Sequence, residues 1–328
     1  MVVSADWPTV ADMNVEAPAQ TAGSAVESAV SDSPDRLDDP AAGPTLSPSR
    51  AADFMTCPLL YRFRTIDRLP EPPSPAATRG TIVHAVLERL FDLPPAERTV
   101  QSATALIAPA WEHLVEAEPD LAALFGDDQD GSALAEWING AEELVRCYFT
   151  LEDPPRLEPA ERELYVETVL DSGLRLRGYV DRVDRASATG DLRVVDYKTG
   201  KAPPVGFEQR AMFQMRFYAL VLWRLYQRVP RLLQLVYLGS GEVLRYEPDE
   251  ADLLATERKV DALWRAIERA ARTGDWRPSP SRLCEWCAHQ ALCPSWGGTP
   301  PPLPEPEATG SAALADEAPS PRTSPVDV

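Results

Sequence analysis

Gly178-Tyr179-Val180-Asp181-Arg182-Val183-Asp184, a short polar turn, then Leu192-Arg193-Val194-Val195-Asp196-Tyr197-Lys198-Thr199-Gly200-Lys201 is the stretch that decides the fold. It reads as two strands joined by a turn. Leu174, Leu176 and Val180, then Leu192 and Val194, alternate with polar residues as a half-buried sheet requires. Asp196 and Lys198 are two apart and face the same side of a strand. Asp181 sits on the neighbouring strand. Two carboxylates and one ammonium then converge at one end of a small sheet. Carboxylates suit a hard divalent cation such as Mg²⁺ or Mn²⁺. A nearby lysine can orient a water or stabilise charge on a transferring phosphoryl group. A D-x-K tripeptide also occurs on a solvated hairpin with an ion pair, so the flanking sequence has to discriminate.

Upstream, Arg79-Gly80-Thr81-Ile82-Val83-His84 opens an amphipathic helix with Val83, Leu87, Leu90 and Phe91 on its apolar stripe. His84 and Glu88 share another face. Glu161 to Val169 alternates in part and reads as the first strand of the core. Glu161 or Glu163 could lie near the site, although an exposed strand end favours Glu equally. Downstream, Gly206 to Tyr226 reads as a long helix with Gln214 and Tyr218 on one face. Leu232–Leu238 and Glu242–Tyr246 follow as two strands around Gly239-Ser240-Gly241, and Asp249 to Arg272 as a helix.

Asp181 with Asp196-Tyr197-Lys198 resembles the D…(D/E)xK signature of restriction-endonuclease-like nucleases. The wording of the whole hairpin looks like the RecB-type exonuclease branch. Gly80-Thr81 followed by His84 resembles that branch's first motif, and Gln214 with Tyr218 resembles its Q-x-x-x-Y motif. The resemblance implies an α/β restriction-endonuclease-like core, a mixed central sheet flanked by helices. It implies that His84, Asp181 and Asp196 ligate Mg²⁺ or Mn²⁺, joined by the Tyr197 backbone carbonyl. Lys198 then positions a water or stabilises the pentavalent state, and Gln214 and Tyr218 contact substrate or brace Lys198. The plainer reading of that pair is helix–sheet packing by Tyr218 with Gln214 exposed. The implied activity is a metal-dependent DNA exonuclease acting on single-stranded ends in repair or recombination. No G-x-x-x-x-G-K-[ST] phosphate loop is found in the chain. RecB and AddB nuclease domains are attached to motor proteins. This chain would therefore use a helicase or other repair partner, bind free ends, or serve another pathway such as CRISPR spacer processing.

Cys284, Cys287 and Cys293 form C-x₂-C-x₅-C near the C-terminus, too dense for chance in a chain with five cysteines. A soft-metal site needs four ligands, and Cys57 is the natural fourth. Zinc with Cys₄, or Cys₃His using His289, satisfies the residues as well as an iron–sulfur cluster does. The arrangement resembles the iron–sulfur clasp of AddB-type and CRISPR-associated RecB-like nucleases, which implies a [4Fe–4S] cluster on Cys57, Cys284, Cys287 and Cys293. On that resemblance the cluster is a staple that closes the core, without a redox role in cleavage. Two readings from other classes stay open: a non-catalytic iron–sulfur DNA-binding subunit, and a zinc-stapled adaptor for repair proteins. His113 reads as structural or exposed and Cys147 as a core residue.

The chain has 328 residues and a formal net charge of −19, against a large sequence-independent DNA footprint. Much of the acidic excess lies at the ends. Residues 1–45 and 299–328 are Pro-, Ala-, Ser- and acid-rich and read as disordered tails, leaving 46–298 as one nuclease-like domain. Around the hairpin, Arg175, Arg177, Arg182, Arg185, Arg193, Lys198, Lys201 and Arg210 offer a local basic surface. Ser47 and Pro48 mark a helix start, and residues 70–78 read as a Pro-rich connection. No apolar run spans a bilayer and no secretory signal opens the chain, so no membrane and a cytoplasmic location are expected.

Overall fold

The computed structural model describes residues 44–126, 130–204 and 208–304. Most of the two expected tails, part of the loop near Gly126–Gly131, and Gly206 lie outside the described residues. A six-stranded sheet forms the centre. Its strands are β1 (Thr45–Leu46), β2 (Glu161–Val169), β3 (Arg175–Arg185), β4 (Leu192–Lys198), β5 (Leu232–Tyr237) and β6 (Glu242–Tyr246). Their order is β1-β3-β4-β5-β6, with β2 also on β3. β2–β3, β3–β4 and β5–β6 are antiparallel, whereas β1–β3 and β4–β5 are parallel. The parallel step from β4 to β5 needs a crossover, and α7 (Glu208–Tyr226) supplies it.

The other helices are α1 (Pro48–Thr56), α2 (Pro58–Tyr61), α3 (Pro75–Leu90), α4 (Val100–Ala105), α5 (Ile107–Ala117), α6 (Ser132–Leu151) and α8 (Glu250–Thr273). One apolar layer joins α7, α8 and α1 to Val180, Val194, Leu233 and Leu235 of the sheet. A second joins α3, α5 and α6 to Val195, Tyr197, Val236 and Leu238. This is the expected mixed sheet between helical layers. One expectation changes: β4 is covered on both faces rather than half-buried, because it is a central strand of a sandwich.

Local rules set the helix starts. Ser47 caps α1, its hydroxyl accepting from the Arg50 amide at 3.3 Å, and Pro48 takes the first helical position. Cys57 ends α1 and opens α2 in an extended conformation (φ −162°, ψ 117°), with Pro58 behind it. The chain therefore turns at the cysteine. Pro75 likewise starts α3 under a Ser74 cap, so the Pro-rich connection ends several residues earlier than expected.

The register of β3 prepares the site. β1 pairs with Arg175 and Leu176, and β4 pairs with Arg182 to Arg185 on the same edge. Residues 177–181 lie in the gap between them. On the other edge, the β2 ladder puts Glu163 opposite Asp181 and skips that one pair. Glu163 has φ 43°, a left-handed conformation uncommon outside glycine. The alternation slips there too: Val180 and Val183, three apart, join the same apolar layer.

The slip carries Arg182 into the interior. It is the largest fully buried side chain. Its guanidinium bonds Glu152 at 2.7 and 2.8 Å, Tyr197 Oη at 2.5 Å and Tyr148 Oη at 3.2 Å, and pairs with Asp184 at 3.0 Å. Asp184 also holds Arg193 at 2.7 Å, and Gln234 donates to Glu152 at 2.9 Å. Burial opposes ionisation of Glu152, but Arg182 outweighs it and holds the carboxyl below its usual range. Arg182→Leu leaves these acids buried without their cation, so a loss of about 3–5 kcal/mol in urea unfolding is expected. The network also corrects the basic-surface expectation. Arg177, Arg182 and Arg193 are buried, and Arg175 is paired with Glu167; most of that positive charge is internal or neutralised.

Packing runs past the expected boundary at residue 298. Arg62 donates to the Pro301 carbonyl, and Trp276 stacks on Tyr61 with ring centroids 5.9 Å apart. No helix among the described residues is long and apolar enough to cross a membrane.

Candidate active site and cysteine cavity

Where β3 and β4 part, side chains replace the ladder. The Tyr197 amide donates to Asp181 Oδ2 at 2.7 Å. His84 comes in from α3: its Nε2 lies 3.0 Å from the Tyr197 carbonyl and its Nδ1 3.4 Å from Asp181 Oδ2. Glu163 completes this side. His84, Glu163 and Asp181 each offer a donor atom, all within 4.8 Å of one another. On the α7 side, Lys198 Nζ lies 2.6 Å from Asp196 Oδ2 and donates to Gln214 Oε1 at 2.9 Å. Gln214 Nε2 in turn donates to Asp196 Oδ1 at 2.9 Å and to Tyr218 Oη at 3.4 Å. Gln214 thus braces lysine and aspartate together, so the packing-only reading of Gln214 does not describe its contacts. Tyr218 needs Gly178: a Cβ there would lie 2.8 Å from its ring.

The electrostatics of this group favour binding of a cation. Burial, then the Asp181 charge, pushes the Glu163 carboxyl up to about 7. The same two causes, partly offset by Lys198, push Asp196 to about 6. Burial works against a charged His84, but its hydrogen bond to Asp181 and the acids around it raise its pKa. Carboxylates crowded in this way, with one imidazole and one carbonyl, form the oxygen-rich donor set that hard divalent cations prefer.

Of the four groups expected to ligate a metal, His84 lies against two others. His84, Asp181 and the Tyr197 carbonyl converge. Asp196 stands beside Lys198 and Gln214, and Glu163 takes the third place in the tight donor group. Glu88 is half-buried and contributes only its charge to Glu163. Glu163 is the site residue that the sequence marks least: its spacing with Glu161 on a strand is legible, whereas the kink that turns it inward is not.

The four expected cysteines line one cavity of about 320 Å³. The Ser279 amide donates to Cys57 Sγ at 3.4 Å and the Ser281 amide to Cys284 Sγ at 3.3 Å. Burial raises the Cys287 thiol, and Cys293, Cys57 and Cys284 add to that. Four cysteines around one cavity, two of them with sulfurs that accept from backbone amides, fit a thiolate-bound metal group. His289, the alternative zinc ligand, is instead spent on Glu71 at 2.8 Å and packed against Phe63. His113 is exposed and Cys147 half-buried.

A mixed sheet between helical layers, with an aspartate–lysine pair at the end of one strand and a second aspartate where its neighbour diverges, defines a nuclease-type α/β core. The chain belongs to the PD-(D/E)XK nuclease superfamily, whose pattern matches residues 45–294. Nucleases of this superfamily use divalent metals. The chain is 27% identical over 281 residues to the Gene 69 protein of Mycobacterium phage D29, covering 76% of this chain and 97% of that one. It is 29% identical over 125 residues to the Gene 69 protein of Mycobacterium phage L5, covering 37% and 40%. A crystal structure from Eubacterium rectale, provisionally named an exonuclease, superposes with a TM-score of 0.48 at 14% identity, covering 75% and 87%. That overlap is too loose to carry a functional argument.

Proposed function

We propose that this chain is a Mg²⁺- or Mn²⁺-dependent DNA exonuclease of RecB type, hydrolysing phosphodiester bonds at single-stranded ends in repair or recombination. The observation that carries the reading is the Lys198–Asp196–Gln214 network set beside His84, Asp181 and the Tyr197 carbonyl. His84, Asp181, Asp196 and the Tyr197 carbonyl would hold the cation, with Glu163 as a further ligand. When bound, the cation polarises the phosphate and acidifies a water. Lys198, held by Gln214, orients that water or meets the charge that develops on the phosphoryl oxygens. Tyr218 limits the movement of Gln214. A helicase or other repair protein is the partner that would deliver single-stranded ends.

The deciding experiment is degradation of end-labelled single- and double-stranded DNA by anaerobically purified protein with Mn²⁺. Progressive loss of single strands from an end is expected. No cleavage of either substrate, from protein that binds DNA, would leave the non-catalytic iron–sulfur subunit in place of the enzyme.

Glu163→Gln tests the ligand assignment separately. It removes one of the crowded negative charges, so the metal-free protein should melt slightly higher. Its affinity for Mn²⁺, read by calorimetry, should fall about 10- to 100-fold. An unchanged affinity would take Glu163 out of the ligand set.

For the cysteines we favour a [4Fe–4S] cluster over zinc. What supports the cluster is the resemblance of C…C-x₂-C-x₅-C to the iron–sulfur clasp, together with the four cysteines lining one cavity. Brown protein absorbing near 400 nm (roughly, as thiolate-bound iron–sulfur clusters do) is expected. Colourless protein containing zinc would instead support the stapled adaptor.

A further inference from the structure

We propose that Tyr165 and Tyr179 form a stacking platform for the base beside the scissile phosphate, which makes single-stranded nucleic acid the substrate of this site. The inference rests on the nuclease reading above and assigns the residues that would give that reading its strand preference. The two tyrosines are cross-strand partners on β2 and β3, with ring centroids 5.2 Å apart and planes tilted by 56°. They are 42% and 44% exposed, whereas most large apolar side chains of the sheet are buried.

A plain hairpin accounts for a cross-strand aromatic pair through mutual packing alone. It does not account for where this pair opens. Tyr165, Tyr179, Lys198, Gln214 and Arg177 line one cavity of about 480 Å³. The cavity reaches the stretch of β3 between its β1 and β4 pairings, so a backbone there meets no intervening strand. Its volume falls in the range of about 300–1,000 Å³ that small-ligand sites occupy. Tyr165 is also fixed in place, its hydroxyl donating to Glu167 at 2.6 Å.

Phosphate at Lys198 then leaves the attached base next to two open aromatic faces. Aromatic faces stack any base, so recognition depends on strandedness rather than sequence. A base inside a duplex already has both faces covered and gains nothing from such a platform.

The test measures binding of a 5′-fluorescein oligo-dT by the full-length protein, by anisotropy, with Ca²⁺ in place of Mn²⁺ to prevent turnover. The Tyr165→Ala/Tyr179→Ala variant should bind about 5- to 100-fold more weakly, and the double Phe variant should bind like wild type. An oligonucleotide with abasic terminal positions should bind wild type as weakly as dT binds the Ala variant. That arm needs no variant to fold. Unchanged affinity for the abasic strand, or for a folded Ala variant, overturns the platform. If wild type still degrades DNA with Mn²⁺ in that case, the nuclease reading survives. Absence of both cleavage and nucleic-acid binding by wild type removes both.

Discussion

Lys198→Ala is expected to slow Mn²⁺-dependent DNA cleavage by at least about 100- to 1,000-fold, the usual cost of removing one preorganised charge donor from a reacting centre. The ammonium lies 2.6 Å from Asp196 and 2.9 Å from Gln214, so its position is fixed before substrate arrives. Asp196 is almost fully buried, and losing its cation leaves the carboxylate with Gln214 alone. Some loss of melting temperature will therefore accompany the loss of rate, and circular dichroism at the assay temperature must show the variant folded. Asp196→Ala should be equally inactive. Gln214→Ala should be milder, because Lys198 loses its brace but not its charge. In both inactive variants the absorbance of the cysteine site should be unchanged, which separates chemistry from assembly. Cleavage by folded Lys198→Ala at the wild-type rate would move the active site elsewhere.

Cys57→Ser is expected to have a large effect on stability, comparable to that of Arg182→Leu. Cys57 sits at the joint between α1 and α2 and opens into the same cavity as Cys284, Cys287 and Cys293. On the proposed cluster, removing one of its four ligands should empty the site, and metal binding of this kind would be folding free energy. A loss of about 3 kcal/mol or more is expected, which lowers the melting temperature of a core this size by roughly 10 °C. Iron content and thermal melting, measured on the same anaerobic sample, read both effects. The variant should not unfold completely. Tyr61 still stacks on Trp276, His289 still bonds Glu71, and Arg62 still reaches Pro301. Full metal content with an unchanged melting temperature would exclude Cys57 from the site.

The parts of the site legible in the sequence are those bound to short, regular spacing. Asp196 and Lys198 share a face because a strand has a period of two. Gln214 and Tyr218 share one because a helix brings i and i+4 together. The three late cysteines announce themselves by density. What alternation could not show is a place where alternation fails. The slip at Asp181 turns Arg182 inward, so a residue that reads as surface charge becomes the centre of a buried network. The same kink, with Glu163 at φ 43°, brings in an acid whose sequence context is ordinary for an exposed strand end. The two-residue β1 was missed because so short a segment carries no period. It matters because its pairing ends at Leu176 and leaves the cavity-facing stretch of β3 open.

Cys57 meets its hydrogen-bond donor Ser279 across 222 residues of chain. At a translation rate of about 5–20 residues per second, that interval lasts on the order of ten to forty-five seconds. For all of it the thiol and the aromatic face around Phe54 and Tyr61 wait on the ribosome without the groups that will cover them. The contact between Cys57 and residues 279–293 thus forms late in synthesis, and a ribosome stalled shortly before Cys284 carries a polypeptide in which His84, Asp181, Asp196 and Lys198 are already made while Cys284, Cys287 and Cys293 are not.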